Sequence, residues 1–135
     1  MVVSMKSEQF VHYLHIPHGL WRWKNFTPQE IACKGDGSII IDFDALDRLQ
    51  AMREDLGVPM TINSAYRSPK YNKRVGGAPK SMHPKGRAFD VAITDKLTRE
   101  MIHKAAKKAG FNGFGDYNTF VHIDTGKARY WDLRK

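Results

Sequence analysis

Residues 88–93 read Ala-Phe-Asp-Val-Ala-Ile, an apolar run with one carboxylate inside it, Asp90. Such a run is a strand, and strand side chains alternate between two faces, so Asp90 is carried inward. A bare buried carboxylate is costly, and Asp90 therefore requires a cation, hydrogen-bond donors or a metal. Two other segments offer partners. His83 precedes Pro84 and Gly86, which places it in a loop or turn. Phe120-Val-His-Ile-Asp124 reads as a second strand with Phe120, His122 and Asp124 on one face. His83, Asp90 and His122 together supply two imidazoles and a carboxylate. Zinc takes such ligands at about 2.0–2.2 Å, and a catalytic zinc keeps three protein ligands and one open position. Taken singly, each residue has a plainer reading: an exposed loop histidine, a buried ion-pair partner, a hydrogen-bonded strand histidine.

The joint pattern is more specific. Ser81-x-His83-x-x-Gly86-x-Ala88-x-Asp90, followed at a distance by Val121-His122-Ile123-Asp124, resembles the zinc D-Ala-D-Ala carboxypeptidases and their relatives. That group includes phage and bacterial peptidoglycan endopeptidases and shares its fold with the hedgehog signalling domain. The resemblance runs from about Phe26 to Trp131. It implies zinc held by His83, Asp90 and His122, and hydrolysis of peptide bonds in peptidoglycan stem peptides. Ser64-Ala65-Tyr66-Arg67-Ser68 also matches, which implies that Arg67 lies in the substrate site, and Ser81 is assigned there with it. The chain departs from many relatives in one respect: they carry an acid three positions before the last zinc histidine, where this chain has Thr119. Asp116 and Asp124 are the substitutes for a general base, with Asp116 preferred by a small margin. Asp124 could instead orient a zinc ligand from behind. A non-catalytic zinc-binding module of the same fold is the alternative to an enzyme.

Length and composition narrow the setting. A chain of 135 residues suggests one domain, with residues 1–25 as an N-terminal extension, and 41% hydrophobic residues suffice for a core. No run approaches a membrane span. Met1 to Leu14 lacks the continuous apolar stretch of a signal peptide. That points to a phage or prophage lysin that reaches the wall by another route. The single cysteine, Cys33, excludes an internal disulfide and reads as a small core residue. The net charge of +8 favours an anionic partner such as the bacterial wall. No nucleic-acid motif accompanies it, so a nucleic-acid partner is not expected, and a monomer is.

Along the chain, Ser7 to His15 suggests a short helix on which His12 and His15 share a face. Trp21 and Trp23 alternate around Arg22 and read as packing residues. Thr27-Pro28-Gln29-Glu30 has the form of a capping box. Phe43, Leu46, Leu49 and Met52 recur at helical spacing from Asp42 to Gly57. Met60 to Ala65 reads as a strand, Ser68 to Val75 as a short helix. A further helix begins at Thr94 or Asp95 and stops at Gly110, with His103 off its apolar stripe and exposed. Phe111 to Asp116, Phe120 to Asp124 and Arg129 to Trp131 complete the strands. The expected class is α+β, a mostly antiparallel sheet flanked by helices, as the resemblance also implies.

Overall fold

The computed structural model describes residues 6–135. Met1 to Met5, the start of the stretch that lacks the apolar run of a signal peptide, lie outside the described residues. The fold is α+β. Strands β3 (Ile62–Ser64), β4 (Ala88–Ala92), β5 (Gly113–Asp116), β6 (Phe120–Asp124) and β7 (Arg129–Asp132) form one sheet in the order β3-β4-β6-β5-β7. All pairings in it are antiparallel except β5 with β7, which is parallel, so the sheet is mixed at that edge. Among the described residues no helix is long and apolar enough to cross a membrane.

Residues 7–15 differ from expectation. They form a strand, β1 (Ser7–Phe10), followed by a 3-10 turn at Tyr13–His15. Strand β1 pairs antiparallel with β2 (Ile39–Asp42) in a separate two-stranded sheet. Its side chains alternate between exposed and half-buried, a period of two that suits a strand laid on an open edge. His12 accepts from Leu14 N through Nδ1 at 3.1 Å, and so caps the turn.

The helices follow their local signals. Thr27 and Glu30 close a reciprocal capping box on α1 (Pro28–Ile31). Asp42 caps α2 (Phe43–Leu56) by accepting from Ala45 N at 2.9 Å, and Gly57 ends it at φ 67°. Ser68 caps α3 (Pro69–Arg74). Helix α4 (Arg99–Ala109) starts later than expected, with Thr98 as its cap. Thr94 is spent on a turn of its own, accepting from Leu97 N through Oγ1.

Period two then sorts the sheet residues. Phe89, Val91, Val121, Ile123 and Phe114 enter the core with Leu46, Leu49, Met52 and Ile102 from α2 and α4. Full burial of each such side chain contributes about 1.5–3 kcal/mol. Asp90 and His122 alternate with them and emerge together on the other face, directly paired in register.

Candidate metal centre

His83 opens a 3-10 turn, His83–Lys85, that ends at Gly86 with φ 72°. The glycine is required twice over. Its backbone is left-handed, and a Cβ there would stand 2.7 Å from the Ile40 carbonyl oxygen. Ser81 fixes the entry to the turn, its Oγ accepting from His83 N at 3.1 Å. Arg67 N donates to the His83 carbonyl at 3.2 Å, which ties the turn to the end of β3.

Asp90 Oδ1 lies 3.2 Å from His83 Nε2 and 3.0 Å from His122 Nδ1. One atom from each of these three residues falls within 4.8 Å of the others, a set that could hold a metal ion. The outer ring nitrogens are engaged. His83 Nδ1 donates to the Ala65 carbonyl at 2.6 Å, and His122 Nε2 donates to Asp124 Oδ2 at 2.7 Å. In neutral rings those bonds leave His83 Nε2 and His122 Nδ1 as lone-pair atoms. With Asp90 Oδ1 they make three acceptors facing one another, an arrangement that needs a cation between them. Nitrogen, nitrogen and oxygen with engaged outer partners fit a first-row divalent metal, and zinc in particular.

The surroundings bias these groups. Burial alone would raise the Asp90 carboxyl, but the adjoining imidazoles of His122 and His83 outweigh it and hold it well below the usual carboxylate range. Burial opposes charge on His122, yet its bonds to Asp124 and Asp90 push it above the ordinary imidazole value. Asp124 is likewise desolvated, but His122, Arg129 and the Gly126 N–H bring it down to about 2.

A cavity of about 420 Å³ opens over these three converging residues. Its wall includes Arg67, Ser81, Tyr117, Phe120, Arg129 and Trp131, so both residues assigned to the substrate side border it. Arg67, however, is engaged at all three guanidinium nitrogens: Nε on Ser64 Oγ at 3.0 Å, Nη1 on Asn72 Oδ1 at 3.1 Å and Nη2 on Asp90 Oδ2 at 3.3 Å. It therefore aims Asp90 Oδ1 at the two imidazoles.

Neither candidate base borders the cavity. Gly115 is the residue of β5 opposite His122, so the neighbouring Asp116 side chain points to the other face of the sheet. There it accepts from Arg99 at 2.7 Å and Tyr130 at 2.8 Å and lies 2.8 Å from His103 Nε2. Strand parity thus places Asp116, the residue preferred as base from the sequence, on the face away from His83, Asp90 and His122. Asp124 is on the ligand face but behind His122, fully buried, with acceptors filled by His122, Arg129 and Gly126. Thr119 is exposed and outside the cavity wall.

A family model for peptidase M15 matches residues 24–124. The chain belongs to the peptidase M15 family. Peptidoglycan L,D-endopeptidase MepK of Escherichia coli (strain K12) is 42% identical over 98 residues, which cover 66% of this chain and 52% of that protein. Zinc D-Ala-D-Ala carboxypeptidase of Streptomyces albus G is 34% identical over 90 residues, covering 62% of this chain and 35% of that one. The chain thus spans about half the length, or less, of the curated relatives it matches.

Several residues of this M15 site escaped the sequence reading. Arg129 and Trp131 line the cavity from the edge strand β7. Two glycines at period two, Gly113 and Gly115, make room for them: a Cβ at Gly115 would strike the Trp131 indole, and one at Gly113 the Asp124 carboxylate. That Gly-x-Gly spacing opposite a His-x-Asp strand was the available signal. His103, expected in solvent, stacks on Phe114 with ring centres 5.1 Å apart and is held at Asp116.

Proposed function

We propose that this chain is a zinc-dependent peptidase that hydrolyses peptide bonds of bacterial peptidoglycan, as a carboxypeptidase or endopeptidase of the stem peptides. The observation that carries the reading is the convergence of His83 Nε2, Asp90 Oδ1 and His122 Nδ1 at the floor of an open cavity. Membership of the M15 family and the peptidoglycan and D-Ala-D-Ala activities for which the two relatives above are named suggest the substrate class.

In this reading zinc, when bound, supplies a Lewis acid and lowers the pKa of water to about 7. The chain's own residues prepare the place. The Ala65 carbonyl and Asp124 fix the protons on the outer nitrogens of His83 and His122, so the inner lone pairs face the ion. Arg67 holds the second oxygen of Asp90. Tyr117 and Phe120, stacked at 4.4 Å, and Trp131 form an aromatic wall that excludes water beside the peptide.

One observation favours the second reading, a zinc-binding module without turnover. Among the described residues that line the cavity, Asp90 is the sole carboxylate, and it is a proposed ligand. A metallopeptidase normally uses a positioned base. The deciding experiment is digestion of purified peptidoglycan with and without a chelator, with released fragments identified by mass spectrometry. We expect chelator-sensitive cleavage at a stem-peptide bond. Stoichiometric zinc with no released fragment would establish the module instead.

A further inference from the structure

We propose that Arg129 receives a carboxylate of the substrate, close to the bond that is cut; this rests on the peptidase reading above. Arg129 stands at the start of β7 and lines the cavity, with its side chain 39% exposed. Its Nη2 donates to Asp124 Oδ2 at 2.8 Å. Its guanidinium carbon sits 4.9 Å from the centre of the Trp131 ring, and that ring lies 5.0 Å from the His122 ring. Trp131 is itself fixed by donating from Nε1 to the Tyr117 hydroxyl at 3.0 Å. The guanidinium is thus immobilised on an aromatic plate immediately beside a proposed zinc ligand.

Donor accounting distinguishes it from the other arginine of the cavity. Arg67 has an internal acceptor at each guanidinium nitrogen and a side chain only 17% exposed. Arg129 uses Nη2 alone, and its Nε and Nη1 have no acceptor among the described residues. Among the described residues no lysine lines the cavity. Of the five guanidinium N–H groups Arg67 commits three and Arg129 one, so among the described residues Arg129 is the cation of the wall with the most free donors and with two nitrogens wholly unpaired. A carboxylate is the peptide group that rewards them most, since charge-assisted hydrogen bonds are roughly twice as strong as neutral ones. Stem peptides carry carboxylates, and a free one beside the scissile bond is inherent in any carboxypeptidase substrate.

Arg129 also steadies Asp124, so loss of activity in a variant would not separate the two roles. The test therefore reads a ratio of affinities. Calorimetry would measure binding to the 135-residue chain of a stem peptide and of the same peptide with each carboxylate amidated in turn. For the unaltered chain we expect one amidation to weaken binding about 10–100-fold, the worth of a charged hydrogen-bond pair. In Arg129→Gln, and in Arg129→Met, which keeps the stem packed on Trp131, that same amidation should cost less than about threefold. Thermal melts would identify whichever variant is folded. An unchanged penalty in a folded variant, or no sensitive carboxylate in the unaltered chain, would overturn the assignment. Because binding is read, a chain that bound the peptides with the predicted ratio but cleaved none would refute the peptidase and uphold Arg129.

Discussion

Two buried carboxylates stand on opposite faces of the same sheet, each with histidine and arginine beside it. Asp90 has His83, His122 and Arg67; Asp116 has His103, Arg99 and Tyr130. Composition and proximity do not distinguish them. Direction does. Around Asp90 the histidine protons point outward to Ala65 and Asp124, and lone pairs converge under a cavity. Around Asp116 the donors of Arg99 and Tyr130 point inward and fill the carboxylate, with His103 stacked against Phe114. The first cluster is short of positive charge at its centre; the second supplies its own. A His/Asp/Arg cluster is a site when its acceptors face each other, and a structural rivet when its donors do.

The largest expected effect is at the convergent cluster. His122→Ala or His83→Ala should leave no stoichiometric zinc by elemental analysis and lower any cleavage rate at least about a thousandfold. Full zinc content in both variants would erase the distinction just drawn. His103→Ala, on the other face, should leave zinc content intact.

Asp124→Asn comes next. Its carboxylate touches His122 from behind, so its loss should weaken zinc affinity about 10–100-fold, measured by competition with a chelator. A collapse of cleavage rate with zinc affinity unchanged would instead make Asp124 the missing base.

A pH effect sharpens the same point. The His122 pKa is raised, so below that value a proton occupies the inner nitrogen, because Asp124 holds the outer one. Zinc must displace that proton. Apparent affinity should fall up to about tenfold per pH unit as pH drops through a value above the ordinary 6.5, with one proton released on binding. Calorimetry in buffers of different ionisation enthalpy would count it. Asp124→Asn should move the onset to lower pH.

The three convergent residues are legible in the sequence because each signal is local: a carboxylate in an apolar run, a His-Pro-x-Gly turn, a strand with His at its centre. Asp116 reads as a base from the sequence because distance along the chain says nothing of parity. The choice depended on Gly115, not Asp116, standing opposite His122, a register set by the β5–β6 pairing. The strand at Ser7–Phe10 was missed for a similar reason, since its partner β2 lies far along the chain. His103 reads as exposed because it falls off the apolar stripe of α4; in the structure it is half-buried against Phe114 all the same. Arg129 and Trp131 were read only as an edge, because nothing local reveals what an edge strand faces.

The smallest effect on the site, and the one that closes the comparison, belongs to Asp116→Asn. The change keeps shape but removes the charge that meets Arg99 and His103, and an amide nitrogen must then oppose at least one donor. We expect a loss of about 1–3 kcal/mol in stability by denaturant unfolding, with zinc affinity and cleavage rate within about threefold of the parent. The acid limb should report the same carboxylate. Burial would raise the Asp116 pKa, but His103, Tyr130 and Arg99 lower it below the usual 3.8. A depressed carboxylate stabilises fully above its unfolded pKa, and that stabilisation is lost as pH falls through the folded value. The difference in stability between parent and Asp116→Asn should therefore be constant at neutral pH and shrink below about pH 4. If cleavage fell about a hundredfold or more at unchanged zinc content, the rivet would be a base after all, and strand parity would be a poor guide to which face does the chemistry.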